Sequence, residues 1–104
     1  MRDTKDTSVL TEMTQFGMKS GKTEEFVVKT TKVYASIYGD FSTKGSVTLE
    51  VQLPVSETKK EWFALPQYVF KQNTHTVLPL HLDDRYRLVV RGCENVNINL
   101  DSAL

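Results

Sequence analysis

Apolar and polar residues alternate along most of this chain with a period of two, the repeat of a β-strand. The clearest run sets Val47, Leu49, Val51 and Leu53 against Thr48, Glu50 and Gln52, which predicts a strand with one buried face and one wet face. Pro54 ends it, because proline has no N–H for a continuing ladder. Upstream, residues 26–28 open a β-rich stretch, and Val33, Ala35 and Ile37 share one face of a strand reaching Tyr38. Gly39-Asp40 and Thr43-Lys44-Gly45 supply turn residues around Phe41. Downstream, residues 61–65 predict a strand broken at Pro66, with a short one over 68–70. Thr76, Leu78, Leu80 and Leu82 alternate with Val77, Pro79 and His81, and Pro79 confines that segment to a sheet edge or a bulge. Asp83-Asp84 turns the chain into residues 86–90, and Gly92 with Glu94-Asn95 leads to a last strand carrying Val96, Ile98 and Leu100.

Seven to eight short strands with a turn about every ten residues predict an all-β domain, an antiparallel β-sandwich of jelly-roll-like character. Residues 1–22 depart from this pattern. They are polar, with Val9, Leu10, Met13, Phe16 and Met18 scattered among them, and sustain neither strand nor helix periodicity. Ser20-Gly21-Lys22 reads as a hinge. The expected organisation is therefore a flexible N-terminal arm, 1–22, ahead of a β-sandwich domain, 23–104. The arm's apolar residues exceed what a solvated tail needs and are candidates for ordering on a partner.

Composition narrows the function classes. The 104 residues suffice for one core. Lys plus Arg and Asp plus Glu each total 13, so the chain lacks the broad positive field of a nucleic-acid binder. Cys93 is the sole cysteine, which excludes an intramolecular disulfide and a cysteine-based zinc site within one chain. No apolar run approaches the ~20 residues needed to span a bilayer, and the first residues hold no signal-peptide core. Synthesis in the cytoplasm and no membrane partner are the expectations.

Candidate chemistry is sparse. His75 and His81 would stand about 20 Å apart on one strand, too far to share a metal. His81 with Asp83 and Asp84 reads as a polar turn. Glu24-Glu25 and Asp83-Asp84 are adjacent pairs whose side chains diverge on a strand. Cys93 has no base near it in sequence, and no glycine-rich phosphate loop occurs. No catalytic, cofactor or metal residues are expected, and the chain reads as a non-enzyme.

Two features suit binding. Arg85, Arg87 and Arg91 share a strand face and could pair with a partner's carboxylates, or with cross-strand Glu or Asp neighbours of their own sheet. Tyr34 and Tyr38 would project together from one sheet face, as in sugar-stacking modules, whereas Trp62 is expected to fill the core or cap one end of the sandwich.

The stretch from Glu25 to Leu100 resembles a family of small β-sandwich virion proteins of tailed bacteriophages. The likeness rests on Val33-Tyr34-Ala35-Ser36-Ile37-Tyr38-Gly39-Asp40-Phe41, then Gly45-Ser46-Val47-Thr48-Leu49-Glu50-Val51, a following Trp62, and Tyr86-Arg87-Leu88-Val89-Val90-Arg91-Gly92 before a last alternating strand. It departs at residues 56–60, Ser-Glu-Thr-Lys-Lys, where many such proteins carry Asp-Gly-Gly. The resemblance implies a structural protein on the virion surface, foremost a capsid decoration (cement) protein gripping the phage major coat protein, as a dimer or trimer at a symmetry axis. The alternatives it implies are a carbohydrate-binding or adhesion module of a tail or fibre, and a head-completion or tail subunit that forms rings.

Overall fold

The computed structural model describes residues 12–30 and 32–102. Among them are nine strands and no helix: β1 (Glu12–Met18), β2 (Gly21–Lys22), β3 (Phe26–Val27), β4 (Lys32–Asp40), β5 (Ser46–Pro54), β6 (Lys60–Phe70), β7 (Thr74–Pro79), β8 (Arg85–Arg91) and β9 (Asn95–Ser102). They form two antiparallel sheets, one ordered β1-β9-β4-β7 and the other β2-β8-β5-β6, with β3 also paired to β8. The expected β-sandwich is what these sheets build.

The core lies between the sheets and follows from the alternation. Val33, Ala35 and Ile37 of β4 and Val96, Ile98 and Leu100 of β9 are fully buried, facing Val47 and Leu49 of β5 and Leu88 and Val90 of β8. Burying each of these valine, leucine and isoleucine side chains contributes about 1.5–3 kcal/mol. Phe26 and Tyr86 stack within the same core, their ring centroids 6.1 Å apart. At one end Gly45 lets the turn after β4 close: a Cβ there would overlap the Phe41 carbonyl oxygen and crowd Cys93.

Four expectations are corrected. The arm is not arm-like over 12–22, where β1 pairs with β9 and β2 with β8. Met13 is a core residue opposite Leu100, and Met18 packs against the core, while Val9 and Leu10 lie outside the described residues. Pro66 does not break its strand. It sits in a bulge of β6, where residues 65–68 oppose the single position Leu49, because Glu50 pairs with Ala64 and Thr48 with Val69. The expected wet face of β5 is not wet, since Thr48 and Glu50 are buried. Finally, Trp62 is on the outside. Phe63 stands opposite inward-facing Val51, so its neighbour Trp62 points outward beside Gln52. Pro79, as expected, falls on an edge strand, at the end of β7.

Candidate functional site

The outer face of the β1-β9-β4-β7 sheet is built from the alternate residues that the core leaves over. Tyr34, Ser36 and Tyr38 of β4 point outward because Val33, Ala35 and Ile37 point in. The register then assembles cross-strand rows. Tyr34 stands between Val77 and Asp101, Ser36 between His75 and Asn99, and Tyr38 beside Asn97. Thr14 of β1 extends the middle row past Asn99.

Both tyrosines are open to solvent, Tyr34 at 49% and Tyr38 at 41% exposure. Four residues apart on one strand, they are separated by about 13 Å. Between them the row is polar and knitted together. Ser36 Oγ and His75 Nδ1 are 2.7 Å apart, and Asn99 Nδ2 donates to Thr14 Oγ1 at 3.2 Å. Asn97 Oδ1 accepts from the Gly17 N–H at 3.0 Å, and Asn73 Oδ1 accepts from the Gly39 N–H at 2.9 Å. Ser36, Tyr38, Asn73, Thr74 and His75 line a shallow depression of about 350 Å³. Phe16, in β1 at the edge of this sheet, is 72% exposed.

The arginine row lies on the outer face of the other sheet. Arg85, Arg87 and Arg91 do share that face, and their partners are in the same chain. Arg87 Nε donates to Glu50 Oε1 at 2.8 Å, and its guanidinium carbon lies 4.1 Å from the centre of the Trp62 ring. Arg91 is 4.0 Å from the other Glu50 oxygen, and Arg85 is 3.5 Å from Glu25. The pairing that buries Glu50 thus accounts for Trp62 as well: the indole roofs the ion pair. A tryptophan two residues after a charged turn, with an arginine at matching register, is the only sequence signal of this arrangement, and it becomes readable once the β5–β6 register is known.

Among the described residues, no three His, Cys, Asp or Glu side chains converge where they could hold a metal ion. Asp83 pairs with Lys29 at 2.7 Å. Cys93 is buried, its Sγ near the Ser46 and Arg91 carbonyls, and burial raises the thiol above its ordinary pKa, the reverse of an activated nucleophile. No protein family, no curated protein and no solved structure matches this chain.

Proposed function

We propose that this chain is a non-enzymatic recognition domain whose outer β1-β9-β4-β7 face binds carbohydrate. The observation that carries the reading is the pair of exposed tyrosines, Tyr34 and Tyr38, set on one strand, with Tyr38 lining a depression of hydrogen-bonding side chains. A pyranose presents C–H surfaces that lie against aromatic rings, and a rim of hydroxyls that require donors and acceptors. The face meets both needs. The groups between the rings, Ser36, His75 and Asn99, supply hydroxyl, imidazole and amide hydrogen-bonding groups, which suits a glycan.

The likeness to tailed-phage sandwiches supplies a setting, an adhesion module of a tail or fibre that meets the surface polysaccharide of a host cell. Coat decoration, the other role the likeness implies, drew on residues 1–22 as a gripping arm and on the arginine row. Of these, β1 and β2 belong to the sheets, and Arg85 and Arg87 are paired within the chain. The tyrosine face is therefore the better supported surface.

A glycan array followed by calorimetric titration of the best binder tests the proposal. Tyr34→Ala and Tyr38→Ala should each weaken binding about fivefold to tenfold, the loss of one aromatic contact. An array without binders, or a binder indifferent to both substitutions, refutes it. Co-sedimentation with undecorated phage heads tests the competing role, which saturable binding at a fixed ratio to coat subunits would restore.

A further inference from the structure

The sandwich is open on the side where β6 and β7 are the outermost strands of their sheets. A cleft of about 440 Å³ enters there between the two layers, within the range of small-molecule sites. Val51, Leu80 and the Tyr86 ring, all buried, form its floor. Leu65 and Tyr68, from the bulge of β6, form a wall, and half-buried Asp84 stands among them.

The electrostatics of this cleft are one-sided. Neighbouring Asp83 is neutralised by Lys29, but the Asp84 carboxylate makes no hydrogen bond or ion pair with any described residue. No lysine or arginine lines the cleft, and His81 supplies its single imidazole. The Tyr86 hydroxyl is held by the His81 N–H at 3.0 Å. Burial raises this phenol above its ordinary pKa, the His81 N–H opposes the rise, and the charge of Asp84 adds to it.

An uncompensated carboxylate beside two tyrosine rings and aliphatic walls selects for one chemistry. An anion meets repulsion with no counter-charge. A neutral apolar molecule would strip water from Asp84 and leave it unpaired. A cation with an apolar body satisfies the carboxylate, lies against the rings through their negative faces, and buries its chain on the aliphatic floor. We propose that this cleft is a binding site for organic ammonium ligands, with the cationic head between Asp84 and Tyr68 and the apolar tail on Val51, Leu65 and Leu80. It is separate from the tyrosine face of β4 and stands whether or not that face binds sugar.

The test is an amide chemical-shift titration of the full chain with hexyltrimethylammonium, in parallel with hexanol and hexanoate. Saturable shifts at Leu65, Tyr68 and Leu80 are expected for the ammonium ion, with hexanol weaker and hexanoate weakest. Asp84→Asn should weaken the ammonium ion about tenfold, and Tyr34→Ala should leave it unchanged. Asp84 is at a turn, and retained β-sheet chemical-shift dispersion will show that the variant is folded. No saturable shift with hexyltrimethylammonium, equal affinity for hexanoate, or an Asp84→Asn protein that binds as tightly as the parent would each overturn the proposal.

Discussion

Arg87→Met is the most informative single substitution in this domain. It removes the 2.8 Å bond to Glu50 and leaves a carboxylate whose side chain is only 10% exposed. Removing one partner of a buried ion pair costs about 3–5 kcal/mol, because the remaining charge keeps its desolvation penalty. Arg91, 4.0 Å away and largely exposed, can swing in and recover part of this. Loss of the guanidinium over Trp62 adds about 0.5–1 kcal/mol. The net expectation is about 3 kcal/mol, a large share of the ~5–15 kcal/mol typical of a folded domain. At this chain length that corresponds to a fall in Tm of roughly 12 °C or more. Urea unfolding of four proteins decides the matter: parent, Arg87→Met, Glu50→Leu and the double variant. The double variant should lie within about 1 kcal/mol of the parent, since an apolar pair leaves no stranded charge. Single losses below about 1 kcal/mol that simply add would show that the pair is a solvated surface contact and that the burial argument is wrong.

Leu49→Ala, at a fully buried position of β5, should cost about 2–5 kcal/mol in the same unfolding assay, and a neutral result would displace the β5 register by one residue. Met13→Ala should cost about 2–4 kcal/mol, and deletion of residues 12–22 should abolish cooperative unfolding, whereas a dispensable arm predicts no change in either. Stability should decline on the alkaline side. Burial raises Cys93 from 9.0 and Tyr86 from 10.0, so the unfolded chain loses these protons first, and the stabilisation present below those values disappears as pH rises through the folded-state pKa values. Unfolding free energies that stay flat from about pH 8 to about 11 would contradict both assignments.

The residues that made the sandwich legible were the strictly alternating ones. Val33, Ala35 and Ile37, Val47 and Leu49, and Val96, Ile98 and Leu100 all occupy the core faces that period two assigns them. Expectation and structure part where something interrupts that period. In β1 a register shift between Gln15 and Met18, with Gly17 in the left-handed region, spoils the alternation that would have marked residues 12–18 as a strand. In β6 the bulge around Pro66 splits one strand into two apparent ones. Trp62 and Glu50 depart from the sequence expectation for a different reason. Hydrophobicity alone sends tryptophan inward and glutamate outward, and only their shared partner Arg87, brought close by cross-strand pairing, reverses both. The spacing of Tyr34 and Tyr38 sets them together on one face, but the polar row between them depends on β7 and β9, whose registers no local pattern encodes.

The bulge in β6 and the proline ending β7 also bear on how copies of this domain meet. An unpaired strand edge is a template on which another chain can add itself, and eleven-residue β6 would offer a long one. Pro66 removes a donor at mid-length, and the bulge bends the strand there. Pro79 ends β7 on the neighbouring edge and removes a donor there. Both layers are thus blunted on the same flank, so growth of the sheet from one molecule into the next is disfavoured there even in a crowded assembly. Contacts on that flank would have to be made by side chains rather than by backbone, leaving the surfaces above and below it free for recognition.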